Sequence, residues 1–298
     1  MINDPALDWL VDEPMLHEPV LVVMLTGWID AAGAGAAAAE VVSNECHTSP
    51  IARFDDDTFI DFRARRPTME LRDGLNTDLA WSTIELRAGR TPEGRDVLML
   101  LGPEPDMAWN RFGKVVADIA EDVGVTTMVG FGAYPFAAPH TRPARLSVSS
   151  PSTDVLASVT FARSSVDVPA GMAAVLEHAL HARKVPALGI WAQVPHYVSA
   201  MAYPAASLAL LEGLREATGI VVRSSELEQE VAGLRRRLDD TVAENSEHQS
   251  MLSQLEELYD STVDVDLGGP SIDSGPSLEM QSGDELAAEI QRFLREQD

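Results

Sequence analysis

The feature that most limits what this chain can become is a repeated alternation of short apolar runs with stretches of helical period. Residues 20–26 are followed by 33–42, residues 96–101 by 107–123, and residues 187–194 by 204–218, while 126–132 adds a further apolar run. Apolar runs without polar alternation suit strands buried on both faces, and the helical stretches between them suit crossovers that cover a sheet. The pattern therefore predicts an α/β fold of three layers, α/β/α, with helices on both faces of the central sheet. Residues 51–54, 58–63, 81–87 and 145–150 read as additional strands, some joined by turn signals such as Asp73-Gly74 and Pro92-Glu-Gly94, so the sheet is predicted to be mixed. Pro169 is assigned to the first helical position before 171–183, and Gly219 to the cap of the helix that ends near Thr218.

Four segments follow from this pattern. Residues 1–223 form the α/β core and 224–262 an amphipathic helical arm. An acidic Gly/Ser/Pro linker occupies 263–283, and 284–298 carries a short C-terminal helix. Within the arm, Ser225-Glu-Leu-Glu228 is read as a capping box, and Leu227, Val231, Leu234 and Leu238 keep 3–4 spacing before Leu252, Leu255 and Tyr259 resume it. Thr241, Asn245 and His248 interrupt the apolar seam, which leaves a polar-centred coiled coil and a bend into a helical hairpin near Asn245 both open. A helix docked on its own core is a third reading of the same stripe. The linker is too polar to bury a core, whereas Leu286, Ile290, Phe293 and Leu294 make a segment able to dock in a groove.

Charge narrows the partners. The formal net charge is −25, and residues 224–298 hold 19 acids against five arginines. Phosphate neutralisation needs a basic face, so nucleic acid is excluded and a protein partner, met through the acidic arm or the C-terminal helix, is predicted. The acidic N-terminus lacks a basic signal region and no early apolar run is long enough to span a bilayer, so no membrane association and a cytoplasmic location are expected. Cys46 stands alone, which fits a reducing compartment and rules out an intrachain disulfide.

Candidate chemistry collects on the loops after the apolar runs. Gly33-x-Gly35-x-x-Ala38 matches a relaxed dinucleotide fingerprint with Asp55–Asp57 beyond it, but Trp28, Ile29 and Asp30 separate the first glycine from its strand, which favours a chance match. Asp30 is read first as a cap of the following helix, and otherwise as one wall of an anion site at that helix start. In Gly102-Pro-Glu-Pro-Asp106, followed by Trp109, Glu104 and Asp106 have the chemistry of a general acid and base, with Asp106 as a helix N-cap the favoured alternative. His140 and Arg142 stand in a Pro-stiffened loop at 135–143, and His196 in Gln193-Val-Pro-His-Tyr-Val198. They could serve as base and anion grip, or simply organise their loops. No Gly-x-Ser-x-Gly elbow is present, and His178 and His181 lack a metal-binding pattern, so no catalytic residue, metal or cofactor is assigned.

At these loops the chain resembles the PAC2 family, the proteasome assembly chaperone 2 group, in its actinobacterial form. The resemblance is carried by Gly27-Trp-Ile-Asp-Ala-Ala-Gly33, Arg65-Arg-Pro67, Leu101-Gly-Pro-Glu-Pro-Asp106 with Trp109 and Phe112, Gly132-Ala-Tyr-Pro135 with Pro139-His-Thr-Arg-Pro143, and Trp191-Ala-Gln-Val-Pro-His-Tyr-Val198 with Tyr203-Pro-Ala205. It covers residues 18–219. It implies a core similar to purine nucleoside phosphorylases, homo-oligomer formation, and a non-catalytic assembly chaperone or scaffold role. It also marks Asp30, Glu104, Trp109, His140, Arg142 and His196 as positions matching the recurrent loop motifs. Relatives that dock on the proteasome end in hydrophobic-Tyr-X, whereas this sequence ends Arg295-Glu-Gln-Asp298, a departure from that device. The alternative function is an enzyme or binding protein for a nucleoside- or nucleotide-like molecule, using a cleft at the sheet edge.

Overall fold

The structure, a computed structural model, describes residues 2, 4–12 and 14–263. The C-terminal helix assigned to 284–298 and all of the linker assigned to 263–283 except Val263, which ends α8 (Ser246–Val263), lie outside the described residues. Eight strands make the main sheet: β1 (Leu7–Trp9), β2 (Val20–Thr26), β3 (Ser49–Phe54), β6 (Glu85–Arg90), β7 (Asp96–Pro103), β8 (Thr127–Phe136), β9 (Leu146–Ser149) and β10 (Ala187–Pro195). A separate two-stranded sheet is formed by β4 (Thr68–Arg72) and β5 (Leu75–Ala80). The main sheet runs in the order β1-β3-β6-β7-β2-β8-β10-β9. Its centre, β7-β2-β8-β10, is parallel, and its two flanks are antiparallel.

Period-two alternation sorts the central strands onto two cores. Val20, Val22 and Met24 of β2, with Val97 and Met99 of β7, face one hydrophobic cluster, whereas Leu21, Val23, Leu98 and Leu100 face the other. The first cluster is closed by α1 (Ala34–Glu45) and α6 (Pro204–Thr218), the second by α3 (Trp109–Asp122) and α5 (Met172–His181). The result is the mixed three-layer α/β/α architecture. Gly219 ends α6 in the left-handed region at φ 73°, where a side chain is disfavoured.

Local differences from the sequence reading have identifiable causes. Residues 58–63 are not a strand: α2 (Asp56–Phe59) makes one helical turn, and Phe59 plugs the core against Phe54 and Phe112. Trp81 also lies outside any strand, stacked edge-on against Phe62 at 4.8 Å, and β6 begins only at Glu85. Pro169 precedes α5 without entering it, because Gly171 is the N-cap. The cap of α7 (Ser225–Ala243) is Ser224, whose Oγ accepts from Leu227 N at 3.2 Å, so no Ser225–Glu228 box forms. A short α4 (Thr153–Ala157) adds to the elements read from the sequence.

Residues 224–262 take the bent form. The chain breaks at Asn245, whose Oδ1 accepts from Glu247 N at 2.9 Å and starts α8 (Ser246–Val263). Both helices lie on the core: Leu227, Leu234 and Leu238 of α7 and Leu255 of α8 belong to the same cluster as β2, β8 and β10. Burying each leucine contributes about 1.5–3 kcal/mol to holding the helices on the core.

Candidate functional site

Four of the six candidate residues occupy equivalent places. Asp30, Glu104, His140 and His196 each follow the carboxyl end of a parallel strand, respectively β2, β7, β8 and β10. In an open α/β sheet this is the rim where ligand-contacting loops gather. What each side chain does there is set by its neighbours.

His140 is buried and held from three directions. Its amide N donates to Tyr197 Oη at 2.8 Å, Nδ1 lies 2.7 Å from the same oxygen, and Nε2 lies 3.1 Å from Asp239 Oδ1 on α7. The Asp239 carboxylate accepts, so Nε2 carries the ring proton, and the bare Nδ1 of the neutral imidazole then accepts from Tyr197 Oη–H while that same oxygen accepts from the His140 amide. Burial pushes the imidazole below its usual range, although Asp239 opposes the shift. His196 also meets the Tyr197 ring, in a T-shaped contact with centroids 5.3 Å apart.

Arg142 points the other way, at α8. Its guanidinium grips Asp260 at 2.9 and 2.7 Å and Glu256 at 3.1 Å. These contacts raise the Arg142 value and lower that of Asp260, each chiefly through their mutual hydrogen bond. Arg145 extends the clasp, donating to Tyr259 O at 2.8 Å and lying 3.6 Å over the Tyr259 ring. Tyr259 Oη in turn donates to Pro143 O at 3.1 Å. The loop after β8 is thus the seat on which the helical hairpin closes, a use of acidic α7 and α8 residues that their sequence spacing alone does not reveal.

Glu104 and Asp30 both serve helix starts. Glu104 Oε1 accepts from Met172 N, the first residue of α5. Asp30 Oδ1 and Oδ2 accept from Gly35 and Ala36 N at 2.7 and 3.0 Å, capping α1 from three residues outside Gly33. Burial raises the Asp30 value against the lowering effect of those amides. The glycines of the supposed fingerprint have structural causes: Gly33 takes a left-handed φ of 62°, and a Cβ on Gly35 would lie 3.0 Å from Met24 Sδ.

Asp106 is not the cap of α3. That position is Ala108, and the Asp106 carboxylate accepts instead from Asp61 N at 3.0 Å and from Arg65 Nε at 3.0 and 3.1 Å. Trp109 is half-buried with Nε1 donating to Pro105 O at 2.6 Å, which stiffens the same loop. Arg65 and Gly171, neither a site candidate from sequence, complete this corner. A Cβ on Gly171 would stand 2.7 Å from Trp28 Cδ1 and 3.2 Å from Glu104 Oε1, so only glycine lets the loops meet. The Gly-Trp-Ile-Asp and Arg-Arg-Pro motifs were the available signal.

The six candidates therefore do not converge on one site: Glu104 and Trp109 sit near Arg65, His140 and Arg142 hold the helical hairpin, His196 lies against Tyr197, and Asp30 caps α1. A cavity of about 500 Å³ opens at the opposite rim, lined by His17, Arg90, Arg95, Asp96, Thr126 and Thr218, and includes none of the six. Cys46 is buried and burial pushes its thiol up to about 11, which suits packing rather than nucleophilic attack. Among the described residues no His, Cys, Asp and Glu group has metal-binding geometry, and no helix is long and apolar enough to cross a membrane.

Exposed apolar side chains are concentrated in a few segments. Of the twelve large apolar residues exposed among the described ones, ten fall in four segments: Trp28 and Ile29, Met69 to Trp81, Met107, and Val166 and Val168. Trp28 packs at Gly171 beside Glu104, and the Arg65 guanidinium reaches Glu104 O at 3.4 Å, three residues before β4 begins.

The comparisons agree with this architecture. A protein of unknown function from Corynebacterium glutamicum is 30% identical over 89% of this chain and all of its own, with a TM-score of 0.81. A Mycobacterium tuberculosis protein described as a proteasome-assembly chaperone homologue is 30% identical over 79% of this chain and 99% of its own, with a TM-score of 0.72. An archaeal proteasome activator from Pyrococcus furiosus is 15% identical over 78% of this chain and 97% of its own, with a TM-score of 0.58, a likeness of fold. A search of curated proteins finds no match. The family model described as PAC2 family matches residues 24–242, and the chain belongs to the PAC2 family.

Proposed function

We propose that this protein is a non-catalytic assembly chaperone or scaffold that holds a protein subunit at the carboxyl rim of its sheet. The observation that carries the reading is that Trp28, which packs at Gly171, its neighbour Ile29, Met107 in the loop of Glu104, and Val166 and Val168 in the segment leading to Gly171 are all exposed, beside loops held by Glu104, Trp109 and Arg65. An apolar surface on rigid loops, rimmed by polar groups, is the anatomy of a docking face. In this reading Asp30, Glu104, Trp109, His140 and Arg142 organise loops through hydrogen bonds within their own chain, and His196 through its ring contact with Tyr197.

The division of labour follows from charge. Residues 1–223 present the docking face, and the outer surface of 224–262, with Glu226, Glu228, Glu230, Asp240 and Glu244 exposed, draws a basic partner toward it. Proteasome α-type subunits are the first candidates, since a 30%-identical relative is described as a proteasome-assembly chaperone homologue. The location consistent with that role is the cytoplasm.

The test uses purified full-length protein and purified proteasome α subunits from the same cell. Co-migration on a native gel, weakened about tenfold or more by Trp28→Ala with Ile29→Glu, is the expected result. Absence of any complex at tens of micromolar removes the proteasome assignment. A complex that is indifferent to the double substitution removes the rim.

A further inference from the structure

The cavity at the amino ends of the parallel strands holds about 500 Å³, inside the roughly 300–1,000 Å³ range of ligand pockets. Val20, Asp96 and Thr127, the first residues of β2, β7 and β8, line it together with Thr218, the last residue of α6. Arg90 and Arg95, on either side of the β6–β7 turn, line it too.

The turn sets both arginines. Thr91 N donates to Arg95 O and Gly94 N to Thr91 O, both at 2.8 Å, and the buried Thr91 accepts at Oγ1 from Arg95 N at 3.2 Å. Antiparallel register places Arg90 opposite Asp96, a residue only 5% exposed. One Asp96 oxygen accepts from Arg90 Nε and the other from His17 N, each at 2.7 Å. The acid is thereby engaged at both oxygens, whereas the two terminal amino groups of Arg90 make no hydrogen bond among the described residues.

Arg95 is less committed still. Its Nη1 comes within 4.0 Å of the point where a Cβ on Gly219 would stand, just past the end of α6. A guanidinium there would serve the helix by binding its last carbonyls, but among the described residues Arg95 donates to none of them and pairs with no carboxylate. The choice of internal partners was wide, since the chain has 47 acids against 22 lysines and arginines. Glu18, the other acid in the lining, lies beside His17, with Oε2 3.9 Å from Nδ1. The Thr127 hydroxyl also makes no hydrogen bond among the described residues. Thr126 and Thr218 give their hydroxyl protons to Pro19 O and Leu214 O, which leaves them acceptor capacity only.

We infer that this cavity binds a small organic anion. The carboxylate or phosphate group of the ligand takes the free donors of Arg95, Arg90 and Thr127, and its hydroxyl or N–H groups donate to Thr126 and Thr218. A guanidinium fork matches either oxyanion. Asp96 touches no part of the ligand and positions Arg90. The cavity stands at the opposite rim from Trp28 and Ile29, so the inference goes beyond the subunit-holding role and does not depend on it.

Calorimetric titration of the full chain with inorganic phosphate and, in a separate arm, with citrate tests the assignment, with chloride holding the ionic strength constant. Saturable binding of at least one of them, weakened about tenfold or more by Arg95→Gln, is the expected result, and the stronger arm names the preferred oxyanion. The same anion should raise the melting temperature of the wild type and not that of the variant. Arg95 is exposed, so without anion the variant melts with the wild type. Absence of saturable binding in both arms up to tens of millimolar overturns the inference. So does binding that Arg95→Gln leaves unchanged.

Discussion

Glu177 on α5 is buried against β10 with its carboxyl hydrogen-bonded to Ser149 Oγ at 3.0 Å, and burial pushes its value up to about 7. A carboxyl whose folded value lies above its unfolded value contributes most below the unfolded value, near 4.3, and that contribution is lost as pH rises toward 7. Glu177→Gln is therefore expected to gain on the order of 1–3 kcal/mol over wild type at pH 8 and almost nothing at pH 4, as read by urea unfolding. His140 has the opposite sign: its value is lowered by burial, so the stability of the neutral ring is full above about pH 6.5 and is lost as pH falls from there. Tyr197→Phe removes the oxygen that accepts from the buried His140 amide. It should cost about 1–3 kcal/mol in the same assay. Neither effect was legible in the sequence, where Glu177 is one acid on an amphipathic helix and Tyr197 a neighbour of the histidine that drew notice. Burial by distant segments made both.

Elements were legible where one force dominates. The buried parallel strands β2, β7, β8 and β10 were readable because apolar runs this dense have no other soluble use. The one-turn helix α2 was not, since Phe59 gives the same signal inside a strand as in a core plug. Nor was the exposed hairpin, whose Asp73-Gly74 turn is plain in the sequence without the strands on either side. The rim positions of Asp30, Glu104, His140 and His196 followed from their places after strands, but their partners did not, because hydrogen bonds such as Arg142 to Asp260 span more than a hundred residues. At this scale the α7–α8 hairpin makes a firm expectation. Leu255→Ala should lower stability by about 2–5 kcal/mol in chemical unfolding, as for a leucine inside a core. Truncation after Arg223 should uncover the apolar surface beneath Leu227, Leu234 and Leu238, raising dye binding and lowering the melting temperature.

As a whole the molecule is a sheet with unlike faces and unlike rims. The helical hairpin shares the hydrophobic cluster of α1 and α6, so it is expected to unfold with the sheet in one transition. Far-ultraviolet ellipticity and tryptophan fluorescence should then give coincident denaturation curves. A second, earlier transition confined to helix signal would mean that α7 and α8 form a separate unit. The clasp of Arg142 on Asp260 also pins the last turns of α8 to the loop after β8. Salt strong enough to screen that pair therefore loosens a helix end and a rim loop in one step.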